Sequence, residues 1–339
     1  MATSQDDTAQ VDINPSAEIE PEAPGLVDDA DSAFGDDMHS ETTTISTAIL
    51  QHRKENGRTY HSFRAGENDY YAPNDEQQNA QLDLGHHMLT QLLGGKLYLC
   101  PLPESCHRAI DVGCGTGIWA IDFADDHPDC EVIGTDLSAI QPHWVPPNCK
   151  FVIDDCSSEW NYPPGHFDFV HVRCLYGSIS DWPALYRQIF LHTKPGGYFE
   201  EMEMSIEFVS DDGTIDEHHI MSQWSRTFLE AGERAGKTMR TADYAAKLIR
   251  EAGFVDVVEK WFKVPLGVWP RDKNLKTIGL YNHHFVKEGL EGWAMYLLTR
   301  VMNWSVPEVQ IFVAKMKNAI DDRRNHGYYR VVVVYGRRP

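Results

Sequence analysis

Apolar positions recur in two rhythms along the chain. Between Asn79 and Leu99 they fall at Leu82, Leu84, Met88, Leu89, Leu92 and Leu93, a helical spacing closed by Gly94-Gly95. Beyond it, short apolar runs at Ala109–Val112, Glu131–Thr135, Phe151–Ile153, Phe167–Val172 and Gly197–Met204 predict strands. Helical patterns separate them at Thr116–Asp126 and Trp182–His192, the second ending before the helix-stopping turn Lys194-Pro195-Gly196-Gly197. A strand–helix alternation of this kind predicts an α/β fold with a mostly parallel sheet and helices on both faces. A helix over Ala242–Ala252 closed by Gly253, a strand over Phe254–Val264 and a last strand over Tyr328–Tyr335 complete one edge, making seven strands.

Two stretches break the rhythm. Residues 213–238 and 272–324 read as helical insertions that form a cover. In the second, Ser305-Val306-Pro307-Glu308 has the form of a capping box, and Val309, Phe312, Val313, Met316 and Ile320 follow at helical spacing, a stripe expected in a core. Upstream of the sheet, residues 49–104 form a helical and lid segment, polar but dense in aromatics at Tyr60, Phe63, Tyr70 and Tyr71. Residues 1–48 are acidic and poor in apolar side chains, so a disordered tail is expected there. The sheet-bearing domain, with these insertions, is expected over 105–339.

Charge sharpens this partition. The net charge is −21, and residues 1–50 hold 12 acidic and no basic side chains, which leaves 39 acids against 30 bases in the rest. An acidic body has no counterion-release drive toward phosphate backbones, so direct nucleic-acid binding is not expected. No run approaches the ~18 apolar residues of a membrane span, and no signal peptide is apparent. Seven cysteines between Cys100 and Cys174 include no C-x-x-C pair, so reduced thiols and an intracellular protein are expected. The doublets His86-His87, His218-His219 and His283-His284 do not make a metal site, because adjacent side chains diverge on a regular element.

The chemistry lies at the ends of the strands, where ligands bind in doubly wound sheets. The first strand ends in Asp111-Val112-Gly113-Cys114-Gly115-Thr116-Gly117, a glycine turn opening a helix. Glycines let the backbone approach a ligand, and the free N–H groups of the helix face the same point. A dinucleotide site requires G-x-G-x-x-G, which Ile118 breaks. Asp111 would also repel a pyrophosphate, whereas it would welcome the cationic amino-acid end of S-adenosylmethionine. The second strand ends in Asp136, roughly 20 residues on, placed to accept ribose hydroxyls, with Leu137 after it. The third ends at Asp154-Asp155-Cys156, where Asp155 and the following N–H would read adenine. The fourth ends at His171-Val172-Arg173, beside the point of methyl transfer, where His171 is either a catalytic base or a neutral core histidine and Arg173 either a site residue or a structural ion-pair partner.

The Asp-x-Gly-x-Gly-x-Gly turn with Asp136, Asp155 and the Lys194–Gly197 turn resembles the class I S-adenosylmethionine-dependent methyltransferases, across about residues 105–339. Narrower motifs are Asn56-Gly57-Arg58-Thr59-Tyr60-His61, Tyr71-Ala72-Pro73-Asn74-Asp75-Glu76 with Leu82-Asp83-Leu84, Gly117–Asp122, Asp136–Pro142 and Gly177–Trp182. They resemble the LaeA-like family and the similar velvet-interacting methyltransferases of filamentous fungi, over residues 51–339. The resemblance implies a Rossmann-like class I fold, S-adenosyl-L-methionine as cofactor, and regulation of secondary metabolism with velvet-domain or zinc-finger partners, in nucleus and cytoplasm. It implies donor contacts from Asp111, Gly113, Gly115, Asp136 and Asp155, with Tyr60, His61 and Tyr71 closing over the ligand; Gly117, Leu137, Cys156 and Arg173, at the same strand ends, are the further candidates for donor binding. It does not settle the acceptor.

Methyl transfer from a sulfonium is an in-line displacement in which positioning does most of the work. Where the acceptor must lose a proton, His61, His171 and Arg173 are the candidate participants. Two rival readings stand beside a regulatory enzyme. One is a small-molecule methyltransferase of a biosynthetic pathway, which an apolar chamber under the cover would favour. The other is a cofactor-binding scaffold with little catalysis.

Overall fold

The chain is described by a computed structural model over Ile19, residues 52–63, Gly66 and residues 70–339; the tail expected over 1–48 otherwise lies outside the described residues. Seven strands follow one another along the chain: β3 (Arg108–Val112), β4 (Glu131–Asp136), β5 (Cys149–Ile153), β6 (Phe167–Arg173), β7 (Thr193–Met204), β8 (Val255–Pro265) and β9 (Tyr328–Arg337). They form one sheet in the order β5-β4-β3-β6-β7-β9-β8, in which β9 alone runs antiparallel to its neighbours. The strand order reverses between β3 and β6. That is the switch point, where a crevice opens at the carboxyl ends of the strands. This is the mostly parallel α/β sheet that the alternation of strands and helices predicts, and the Rossmann-like class I arrangement that the resemblance implies.

Side chains alternate across the sheet, and both faces are covered. Ala109, Val132 and Phe169 pack with Trp119 and Phe123 of α2 (Ile118–Asp126). Ile110, Val112, Val170 and Val172 pack with Leu185 and Ile189 of α3 (Trp182–His192) and with Ala245 and Ile249 of α5 (Thr241–Glu251). A third core lies beyond the strand ends. There α1 (Glu76–Leu92), α4 (Ile220–Arg234), α6 (Lys273–Arg300) and α7 (Val306–Asp321) bury Met88, Leu89, Trp224, Leu290, Phe312 and Met316 against Met204, Val331 and Val333. The Ser305–Glu308 capping box starts α7, and its apolar stripe lies in that core.

The differences from the sequence reading have local causes. Helix α1 starts three residues before Asn79 because Asp75 caps it, accepting the Gln78 N–H at 3.1 Å. It ends at Leu92, ahead of Gly94 and Gly95, both at positive φ. Strand β7 begins at Thr193 rather than Gly197. The Lys194–Gly197 turn stops α3 and is then absorbed as an irregularity: Thr193 pairs with Phe167, but Tyr198 pairs with Phe169. The segment read as a lid contains a hairpin, β1 (Arg53–Glu55) with β2 (Arg58–Tyr60), turned by Asn56 and Gly57 at φ 48° and 82°. Asn-Gly is the preferred type I′ turn, so the hairpin was written in the sequence. Among the described residues no helix is long and apolar enough to cross a membrane, and no cluster of potential ligands could hold a metal ion.

Candidate active site

A cleft opens at the switch point, with a volume of about 170 Å³ available to the centres of water-sized molecules. Strand ends and the loops after them build its floor. From β3 come Asp111, Gly113, Cys114, Gly115 and Thr116; from β4 Asp136, Leu137 and Ser138; from β5 Asp154, Asp155 and Cys156. Strand β6 adds Arg173, Cys174, Leu175 and Tyr176, and the roof comes from Tyr70, Tyr71, Asn74, α1 and α6.

The glycine turn divides its labour. A Cβ at Gly117 would meet the Phe151 ring at 2.3 Å, and one at Gly113 would meet Leu175 at 2.5 Å. At Gly115 a Cβ finds only Leu82 at 3.5 Å. All three hold positive φ, a conformation glycine adopts without strain. Gly115 is therefore the residue whose missing side chain leaves room, and Gly117, outside the cleft wall, allows α2 to start against β5.

Two carboxylates organise the floor. Asp136 accepts the N–H of Gly115 and of Ser138, each at 2.8 Å, so the glycine turn is held by the residue at the end of the next strand. Burial pushes its carboxyl up to about 6, partly offset by those N–H donors. Asp111 accepts from His171 Nδ1 at 2.7 Å, which the pairing of Asp111 with His171 across β3 and β6 makes possible. The His171 ring lies flat on Trp119, centroids 3.7 Å apart, and burial lowers its pKa. Asp155 accepts the Ser157 N–H at 3.0 Å.

Arg173 reaches His86 Nδ1 at 3.1 Å, and His86 Nε2 lies 2.9 Å from Asp122, so one polar chain joins β6, α1 and α2. Thr116 donates to Asp83 at 2.6 Å, Gln141 to the Gly115 carbonyl at 2.7 Å, and Asn74 to Ser138 at 3.3 Å. These ties fasten the roof to the glycine turn and to the loop after β4, and that loop to the turn. Reasoning from strand ends missed them, although Asn74, Asp83 and Gln141 all sit in the narrower motifs.

Of the positions singled out from sequence, Tyr71, Asp111, Gly113, Gly115, Asp136, Leu137, Asp155, Cys156 and Arg173 share this one cleft. Tyr60, His61, Gly117 and His171 do not line it. Tyr60 is buried against Tyr296, centroids 5.4 Å apart, and His61 is engaged at both ring nitrogens, by the Phe63 carbonyl and the Tyr70 N–H. A ring held at both nitrogens is not placed to take a proton, and His171 is sealed behind Asp111. Both rings are buried off the cleft wall, which for His171 is the core setting of its second reading.

The fit to S-adenosylmethionine rests on this cradle: an open Gly115, an acidic side chain at each of three successive strand ends, and a cationic Arg173 beside them. A family of methyltransferase domains matches residues 84–259. The chain is 36% identical over 326 residues to methyltransferase pytC of Aspergillus terreus, covering 95% of this chain and 96% of that protein. It is 36% identical over 291 residues to the secondary metabolism regulator LAE1 of Cochliobolus heterostrophus, covering 84% and 94%. With the secondary metabolism regulator laeA of Aspergillus flavus it shares 33% identity over 290 residues, covering 84% and 77%. The chain belongs to the LaeA-like family of S-adenosylmethionine-dependent methyltransferases.

Proposed function

We propose that this methyltransferase regulates secondary metabolism and development in a fungus, as a member of a nuclear complex with velvet-domain or zinc-finger proteins, present in nucleus and cytoplasm. The observation that carries the reading is a complete donor cleft in a chain 36% identical to LAE1 over most of both lengths. In this reading Asp111 receives the donor's ammonium group, Arg173 its carboxylate, Asp136 the ribose hydroxyls, and Asp155 with the Cys156 N–H the adenine. Gly113 and Gly115 admit the donor close to the backbone, Leu137 packs beside it, and Tyr71 closes the roof. When bound, the donor supplies an electrophilic methyl group. The chain's own share is to orient it and to keep water out beneath α1 and α6.

An apolar chamber adjoining the cleft favours a second reading, a small-molecule methyltransferase of a biosynthetic pathway. Incubation with radiolabelled donor and fractionated cell extract separates the two. Label in protein supports the regulatory reading, and label in the small-molecule fraction supports the second. Asp136→Ala and Gly115→Ala should abolish donor binding. Regulation that survives in cells carrying them would contradict an enzymatic role and leave a scaffold.

A further inference from the structure

Among the described residues Arg173 is the one arginine or lysine that lines the donor cleft, and no aspartate or glutamate is ion-paired with it. Its guanidinium meets a ring nitrogen instead, His86 Nδ1, at 3.1 Å. A guanidinium has donors and no acceptor. The Nδ1 atom is therefore the bare nitrogen of a neutral imidazole, and the ring proton sits on Nε2, which donates to Asp122 Oδ2 at 2.9 Å. Asp122 thus fixes the tautomer that Arg173 needs. A proton on both ring nitrogens would set N–H against N–H.

A neutral partner suits an arginine that has to receive an anion. His86 is buried on α1 at the cleft wall, while Asp122 on α2 keeps 47% of its side chain exposed, so the carboxylate stays in water and only the imidazole faces the guanidinium. Asp83, one turn earlier on α1, is engaged by the Thr116 hydroxyl. The positive charge of Arg173 is left uncompensated in a cleft otherwise lined by Asp111, Asp136, Asp154 and Asp155. A long side chain loses rotamer freedom when it meets a carboxylate in forked geometry. A neutral acceptor takes up part of that ordering beforehand without neutralising the charge, whereas a carboxylate at position 86 would compete with the ligand for the same N–H groups.

Resting on the methyltransferase reading, we propose that His86 is a positioning residue for the amino-acid end of the donor: held in one tautomer by Asp122, it presets the Arg173 guanidinium for the donor's carboxylate. His86 neither gives nor takes a proton in this role. Its influence is confined to the amino-acid end, and the adenosine end, held by Asp136 and Asp155, is indifferent to it.

Calorimetric titration of the whole chain with two ligands tests this. S-adenosylhomocysteine carries the amino-acid end, and methylthioadenosine has the same nucleoside and sulfur without it. His86→Ala should weaken S-adenosylhomocysteine roughly ten-fold and leave methylthioadenosine within about two-fold. His86→Asn, whose amide oxygen can stand in for Nδ1, should recover most of the loss. Asp122→Ala keeps the ring but frees its tautomer, and should weaken S-adenosylhomocysteine several-fold, again sparing methylthioadenosine. Because Asp122 is half-exposed, that variant carries the test even where His86→Ala does not fold. Equal losses for both ligands in either alanine variant would make the pair a support of the cleft's fold and overturn the proposal, as would an S-adenosylhomocysteine affinity unchanged in both. Failure of the native chain to bind S-adenosylhomocysteine would instead overturn the methyltransferase reading beneath it.

Discussion

Single side chains decide what the glycine turn can hold. Gly115 and Gly117 both hold positive φ, yet only a side chain at 117 would run into a ring. Gly117→Ala is therefore expected to lower stability by about 1–3 kcal/mol, measured by urea unfolding, since strain and overpacking combine. Gly115→Ala should keep most of the stability and lose donor binding. Asp136 makes a second prediction. With its carboxyl raised to about 6 by burial, it is ionised above that pH and protonated below. A protonated carboxyl is a poorer acceptor for ribose hydroxyls, so donor affinity should be flat above pH 6 and fall below it, by at most about ten-fold per pH unit. Calorimetry across pH 5 to 8 checks this, and a flat profile would remove Asp136 from the site. The strand-end acids were legible from spacing alone. The pairing of His171 with Asp111 was not, because the two lie 60 positions apart and only the parallel pairing of β3 with β6 brings them together.

The elements that close the cleft come from two distant parts of the chain. Helix α1 ties to the glycine turn through Asp83–Thr116 and the loop before it to the loop after β4 through Asn74–Ser138, while α6 packs over them. Burial raises the Asp83 carboxyl, and the Thr116 hydroxyl partly offsets this. Asp83→Ala should weaken donor binding about ten-fold through loss of this hydrogen bond. An unchanged affinity would show that α1 does not support the turn. Element identity was readable wherever the period was sustained, as in α7 and the parallel strands. Boundaries were less so: the cap at Asp75 lies outside the apolar stripe, and the β7 irregularity keeps a helix-stopping turn inside a strand. The β1–β2 hairpin had its Asn-Gly signal but only three residues per strand, too few for the apolar alternation to show.

On the scale of the whole molecule, burying both faces of the sheet puts acidic side chains of β7 in the interior. Glu200, Glu201 and Glu203 are all essentially inaccessible. Glu200 accepts the N–H groups of Leu99 and Cys100, yet burial pushes it up to about 7. Glu201 is pushed up as well, with Tyr186 donating to one oxygen and the other oxygen unpartnered. Carboxyls raised on folding stabilise the protein fully only below their unfolded values near 4.5, and that stability is lost as pH rises through the folded ones. Unfolding free energy should therefore decline between about pH 5 and 8, by on the order of 3 kcal/mol for Glu200 alone. Glu201→Gln should flatten part of the slope and raise stability at pH 8; a slope unchanged in that variant would mean Glu201 is ionised in the fold. Nothing in the local pattern around Glu200 marks it as buried, since alternation predicts one solvated face and the distant Leu99–Cys100 segment lies on it. The claim on which the rest depends is that the cleft at the switch point holds the methyl donor through Asp136. The direct measurement is calorimetric titration of the full chain and of Asp136→Ala with S-adenosylhomocysteine. One-to-one binding by the native chain, abolished in a variant whose circular dichroism and unfolding are unchanged, is the expected result; equal binding by both proteins would contradict it.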